Sequence, residues 1–357
     1  MKKILAFLLA VCVVMGCLCG TACAADWSIY TTEEDGPVWE RFECDGENTL
    51  IRNSDGLLWE RDGILLRKLT LEETELIYGI HVLPNGSCGL LMWDTPDIYQ
   101  RTHLSFHVWD GRGLTLIRTW DGMDLSGEIG NHGILVGDRT GEAVFCDFSG
   151  KELWRGSLGI DTITCIYSLT TRSETDWACS LCSKSDPRDC YVRIIDGQIA
   201  FQRIISSLGE RCIPLQDGMS LLVKARQDGE YGPVTVTLLN RKGDIIKTRQ
   251  LTGDRLVIGS TRPLELEDGT VVIYGSAVAS SREVYLVWQL TLDTKLNLLG
   301  LDVRDCSYHR DYSPGLTVYQ DHSCWIDLRA FDNSGAPDVL VPYGDLQVCT
   351  DHTLKYE

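Results

Sequence analysis

The chain is 357 residues long, with 51 acidic and 33 basic residues and a formal charge of −18. That balance argues against nucleic acid or an anionic membrane surface as a partner, because both require a basic footprint. The acids are spread along the chain rather than gathered in a tail, which reads as a solvated surface.

The first residues, MKKILAFLLAVCVVMGCLCGTACAADWS, form an export signal. Lys2 and Lys3 are the basic start, Ile4 to about Gly20 the apolar run, and Ala22-Cys23-Ala24 the small residues a signal peptidase needs. Cleavage after Ala24 is expected, leaving residues 25–357 as one domain that is secreted or held at the cell envelope. The rival reading is lipidation at Cys17 after Val14-Met15-Gly16, although the residues that follow are small and apolar rather than a polar tether. No later apolar segment is long enough to span a membrane. Of the 15 cysteines, Cys12, Cys17, Cys19 and Cys23 lie in this leader. The rest are odd in number and would meet an oxidising compartment, where some could pair.

Beyond the leader, two kinds of hairpin alternate along the chain. One kind starts its turn on an acid or amide and closes it on glycine. It occurs as Asn53-x-x-Gly56, Asp110-x-x-Gly113, Asp147-x-x-Gly150, Asn240-x-x-Gly243 and Asp332-x-x-Gly335, with a shortened copy at Asp196 and a glycine-free copy at Asp293. The acid or amide begins the turn, and glycine accepts positive φ without a Cβ clash. Between these lie Asn85-Gly86, Gly133, Asp217-Gly218, Asp268-Gly269 and a weaker member near Asp321. One unit therefore holds two hairpins, or four strands. From Asp147 to Asn240 is two units, and the mean period is about 40 to 50 residues, the length of a propeller blade. The expectation is an all-β chain, a β-propeller of about seven four-stranded blades, with six or eight as neighbouring counts. Helical patterning is scarce; LEETELIYG (71–79) is the nearest and is short. Residues 25–40 and 346–357 fall outside the repeats and are expected to close the ring by sharing a blade.

The stretch CDFSGKELWR resembles the tryptophan-docking repeat of the quinoprotein-like β-propellers. Asp147, Gly150, Lys151 and Trp154 fit the pattern; Trp59 sits one position early, and the other units keep the turn but lose Lys or Trp. The resemblance implies the fold and an inter-blade wedge at Trp154, with Trp288 and Trp325 acting similarly, and a secreted, non-enzymatic member of that superfamily. It does not imply an activity. Quinone-dependent members use adjacent cysteines against the cofactor; no Cys-Cys pair occurs here, so no cofactor is expected.

Other constellations favour structural roles. Cys179-x-x-Cys182 resembles a zinc half-site, but three steps along a strand put the two on opposite faces. Cys182 and Cys190 flank the loop SKSDPRD and are candidates for a disulfide. His103 and His107 have helical metal spacing, yet on a strand they stand about 13 Å apart, so no metal is expected. Nucleophile-elbow, zincin, phosphate-loop and dinucleotide motifs do not occur, and SDGLLW (54–59) lacks the sialidase spacing. One stretch, LDVRDCSYHRDYSPG (301–315), breaks the alternation and gathers Asp305, His309, Arg310, Asp311 and Tyr312 as a binding-loop candidate, against the plainer reading of a polar inter-blade connection.

The leading expectation is a non-catalytic binding module whose partner is a protein, peptide or envelope glycan. One alternative is a carbohydrate-active hydrolase or lyase with acids in the channel, since such a pair need only meet in space. The other is a lipid-anchored envelope assembly scaffold.

Overall fold

The described residues lie within one compact unit, Pro37–Glu357. The computed structural model describes residues 38–357 apart from 44–47, 54–55, 62–63, 71–76, 94–101, 184–188, 206–209, 226–232, 254–255, 280–284, 307–311, 319–321 and 331–338. No helix among the described residues is long and apolar enough to cross a membrane.

The fold is all-β, a propeller of seven antiparallel sheets in chain order. Blade 1 holds β1 (Val38–Glu43), β2 (Asn48–Asn53), β3 (Gly56–Arg61) and β4 (Ile64–Thr70). Blade 2 holds β5 (Ile77–Val82), β6 (Cys88–Trp93), β7 (His103–Trp109) and β8 (Leu114–Asp121). Blade 3 holds β9 (Ser126–Gly130), β10 (Gly133–Gly137), β11 (Glu142–Cys146) and β12 (Glu152–Ser157). Blade 4 holds β13 (Ile163–Thr171), β14 (Asp176–Ser183), β15 (Asp189–Ile195) and β16 (Gln198–Ile205). Blade 5 holds β17 (Glu210–Pro214), β18 (Ser220–Lys224), β19 (Val234–Leu239) and β20 (Ile245–Thr252). Blade 6 holds β21 (Leu256–Glu265), β22 (Val271–Ala279), β23 (Tyr285–Leu292) and β24 (Leu298–Asp305). Blade 7 holds β25 (Tyr312–Val318), β26 (Cys324–Ala330) and β27 (Val339–Pro342).

First strands touch first strands, from β5 to β9, β13, β17, β21 and β25 in turn, so blades 2 to 7 begin innermost. Residue chemistry follows that position. The middle strands β6 (CGLLMW) and β10 (GILVG) are buried along their whole length, because both sheet faces are covered by neighbours. The outer strand β20 (IIKTRQLT) is mostly exposed, and β12 (ELWRGS) alternates exposed with half-buried residues.

The core is a series of blade–blade interfaces. Leu50, Leu57 and Trp59 meet Leu90, Met92 and Trp109 between blades 1 and 2. Phe145 stacks on Trp177 between blades 3 and 4, with ring centroids 5.0 Å apart. Leu221, Val236 and Leu238 meet Ile273, Trp288 and Leu290 between blades 5 and 6. Each such side chain is worth about 1.5 to 3 kcal/mol when removed from water, so no blade is stable without its neighbours.

Both turn families lie where the periodicity places them. The Asp110, Asp147, Asp196, Asn240 and Asp293 turns join third to fourth strands, and the Asn85, Gly133, Asp217 and Asp268 turns join first to second strands. Three details differ. Asn53–Gly56 joins β2 to β3, a second-to-third connection. In the Asp110 turn the left-handed residue is Gly111 rather than Gly113, and in the Asp293 turn it is Leu296, at φ 59°. The Asp332 copy lies outside the described residues.

The C-terminal residues do not complete a shared blade. They double back along the rim. β28 (Gln347–Val348) pairs with β24 as a fifth strand of blade 6, through Arg304↔Val348 and Asp305↔Gln347. β29 (Lys355–Tyr356) then pairs with β20 as a fifth strand of blade 5. Backbone bonds of 2.9 Å run both ways between Gln250 and Glu357. Leu354 is buried in the blade 5–6 core, and the Tyr356 hydroxyl donates to the Leu296 carbonyl at 3.3 Å.

Candidate functional site

One end of the propeller collects the turns between first and second strands, and polar bonds tie these turns to one another blade by blade. In blade 2, His81 Nε2–H donates to Asn131 Oδ1 in the β9–β10 turn at 3.0 Å. The next residue, His132, gives its backbone N–H to Thr171 Oγ1 at the end of β13, at 2.8 Å. Arg172 follows and forms an ion pair with Glu265, at the end of β21 two blades away. Glu265 also accepts the Gln216 backbone N–H of the β17–β18 turn at 3.1 Å. Its carboxylate is 4 % exposed, so both partners meet it in a low-dielectric setting where charged hydrogen bonds are strong. Blades 2 to 6 thus share a tied rim.

Behind the rim lies a second arginine. Arg193 on β15 is fully buried, donates to the carbonyls of Trp177 and Ile194 at 3.1 and 3.2 Å, and pairs with Asp176. Exposed Glu174, Asp217, Glu267 and Asp268 stand on the turns of blades 4 to 6, giving this mouth an acidic lip.

The innermost strands carry the remaining chemistry. The Tyr78 hydroxyl on β5 lies 3.3 Å from Ser126 Oγ on β9, 3.4 Å from the Ile166 carbonyl and 3.6 Å from Cys165 Sγ on β13. It links three blades near the axis. Burial pushes its pKa up, so Tyr78 remains a donor. Glu128 on β9 has its carboxyl raised to about 7 by burial, whereas burial lowers His81 to about 4 despite its bond to Asn131. Burial thus favours the neutral form of both: His81 is neutral near pH 7, and Glu128 holds its proton well above the usual carboxylate range. Two further acids on inner strands are engaged elsewhere: Glu210 with Lys224 Nζ at 2.7 Å, and Glu265 with Arg172.

The outer turns of the same end carry the docking motif. Asp147 Oδ1 accepts the backbone N–H groups of Ser149 and Lys151, both at 2.9 Å. Gly150 sits at φ 83°, and its carbonyl accepts Arg118 of the preceding blade at 2.6 Å. Trp154 donates its indole N–H to the Gly197 carbonyl of the next blade at 3.1 Å and stands edge-on to Trp177. Lys151 enters this arrangement through its backbone alone among the described bonds. Trp288 is fully buried in the blade 5–6 core, and Trp325 donates to Ser323 Oγ at 3.2 Å.

Asp305 ends β24, where its backbone pairs with Gln347, and Tyr312 opens β25. His309, Arg310 and Asp311 lie outside the described residues. Leu301–Asp305 are regular strand, so the alternation breaks later than the sequence suggests. His103 and His107 lie on β7, as do Cys179 and Cys182 on β14. Cys190 stands opposite Leu181, while Cys182 stands opposite Asp189. Cys182 and Cys190 therefore face opposite sides of the sheet, and a bridge between them does not fit this register. The residue directly across from Cys182 on the other side is Cys165. The rim bonds had no sequence signal, since they join residues 39 to 93 positions apart.

No family model matches the chain, and no curated protein matches it. Solved structures similar to it are β-propellers. They include the BBS1 N-terminal domain in complex with ARL6 (12 % identity, 88 % of this chain and 93 % of that chain, TM-score 0.47). BamB from Moraxella catarrhalis is 10 % identical over 81 % of this chain and 96 % of its own, with a TM-score of 0.41. Hydrazine synthase from Kuenenia stuttgartiensis is 12 % identical over 91 % and 98 %, with a TM-score of 0.47. The fold assignment rests on the sheets themselves.

Proposed function

We propose that this chain is an exported β-propeller serving as a non-catalytic binding module, and that its docking face is the tied mouth of blades 2 to 6. The observation that carries this reading is the Arg172–Glu265–Gln216 junction, which holds turns from three blades in one arrangement before any partner arrives. A rim fixed in advance loses little freedom on binding. The exposed Glu174, Asp217, Glu267 and Asp268 favour a basic segment of a protein or peptide over an anionic glycan. Export follows from the leader peptide, with cleavage after Ala24.

A glycoside hydrolase or lyase requires two carboxylates about 5 to 10 Å apart. On β9, β17 and β21 the acids act separately, Glu210 and Glu265 in their own ion pairs and Glu128 in a desolvated site. A lipid-anchored scaffold requires a diacylated Cys17, which the mass of the mature N-terminus decides.

The test is titration of the purified chain with basic and acidic peptide libraries and envelope glycan fragments, with product analysis alongside. The expected result is saturable binding of basic peptides without turnover, weakened by salt and by the double change Asp217→Lys with Asp268→Lys. Glycan cleavage abolished by Glu128→Gln would move the chain to the enzyme class, and binding indifferent to the lip changes would remove this mouth as the docking face.

A further inference from the structure

The pairing of β13 with β14 places Cys165 directly across from Cys182. Among the described residues this is the one register position where two cysteines oppose each other. Cys88, Cys146, Cys179, Cys190, Cys212 and Cys324 all face other residue types. Opposed residues of an antiparallel pair have Cα atoms about 4.5 to 5.5 Å apart, inside the range a disulfide spans. The register shifts on both sides of Cys165, between Ile163 and Cys165 and again between Ile166 and Ser168. These irregularities disrupt the ladder on both sides of the pair.

The Cys165 thiol is also among the groups that raise the Cys182 pKa, after burial itself. Both are half-buried rather than sealed. They sit near the start of β13 and the end of β14, at the open end of the hairpin, where a small oxidant can reach them.

We propose that Cys165 and Cys182 are a disulfide-forming site that fastens the innermost strand of blade 4 to its neighbour. Thiol–disulfide exchange forms the bond. A thiolate from one cysteine attacks a small-molecule or oxidoreductase disulfide, giving a mixed disulfide and releasing one thiol. The second cysteine then displaces the remaining half. The protein loses two protons and two electrons, and the incoming disulfide becomes two thiols. Burial, Cys165 and Asp189 raise the Cys182 thiol pKa, so the reaction runs faster in mildly alkaline buffer. The bridge replaces two partly buried thiols with an uncharged link and leaves sulfur beside the Tyr78 hydroxyl.

Because the oxidant is supplied in the test, the inference does not depend on where the chain is exported. The purified chain is equilibrated in glutathione buffers of graded redox ratio, quenched with acid, alkylated and mapped by peptide mass spectrometry without reduction. The expected product is a Cys165–Cys182 linked peptide that persists in Cys190→Ser, is lost in Cys165→Ser and Cys182→Ser, and is accompanied by slower amide exchange in β13. If Cys165 and Cys182 both remain alkylatable, carry only glutathione, or if Cys182 links to Cys190, the proposal is overturned. Circular dichroism of the serine variants separates loss of the bond from loss of the fold.

Discussion

Trp154 belongs to blade 3, yet its indole N–H is bonded to the Gly197 carbonyl of blade 4 at 3.1 Å, while the ring stands edge-on to Trp177 with centroids 5.4 Å apart. The two contacts can be separated by mutation. Trp154→Phe keeps an aromatic wedge and loses the donor, and should cost about 1 kcal/mol. Trp154→Ala loses both and, because the side chain is only half-buried, should cost about 2 to 3 kcal/mol. Urea unfolding of the two variants checks the order; equal losses would mean that the wedge contributes nothing beyond the bond.

The turn that positions Trp154 depends on Asp147 and Gly150. Removing the carboxylate in Asp147→Ala leaves the Ser149 and Lys151 N–H groups without their acceptor, which should lower stability by about 1 to 2 kcal/mol. Gly150→Ala puts a Cβ at φ 83° beside Ile117 and should cost about as much. Lys151→Ala should fall within about 0.5 kcal/mol of the parent. Thermal melts of the three variants test this, and a large loss at Lys151 would assign that side chain a role the structure does not give it.

Glu128 and His81 make opposing contributions to the dependence of stability on pH. The Glu128 carboxyl is raised from 4.5 to about 7, so its contribution to stability is complete below pH 4.5 and is lost as pH rises through about 7. His81 is lowered from 6.5 to about 4, so its contribution is present above pH 6.5 and is lost as pH falls through about 4. Between these limits the two slopes cancel in the parent chain. Glu128→Gln should therefore unmask a fall in stability on acidification, and His81→Asn a fall on alkalinisation, each on the order of 2 kcal/mol across the window. Unfolding free energies measured from pH 4 to pH 8 decide it, and parallel profiles for parent and variants would contradict the assignment.

The rim strap should stabilise the blades it covers. Leu354 is 4 % exposed among Leu251, Leu296 and their neighbours. Leu354→Ala should cost about 2 to 3 kcal/mol. It should also raise hydrogen exchange in β20 and β24 but not in β8 or β12. Uniform acceleration across all the outer strands would show that the strap does not act locally.

These residues also show which features are visible in sequence and which are not. The two turn families were legible because each is local chemistry: an acid or amide, a few positions, and a glycine free to take positive φ. The Asn53 turn joins a different pair of strands because the same chemistry serves either connection of a hairpin. Leu296 shows that a packed apolar residue can hold the left-handed position without glycine. The opposition of Cys165 and Cys182 was invisible, since it depends on a register set by irregular pairing and not on a loop length. The Arg172–Glu265 contact joins positions 93 residues apart, and the strap pairs through only two-residue strands, too short to show alternation.

The strap also imposes a timetable. Residues 347–356 are synthesised after every strand they cover, so a ribosome delivers blades 5 and 6 with bare outer backbones and must add the whole of blade 7 before those edges are sheathed. Until then β20 and β24 offer unpaired N–H and C=O groups to any passing strand. A nascent or truncated chain is thus most prone to mispairing at those two blades.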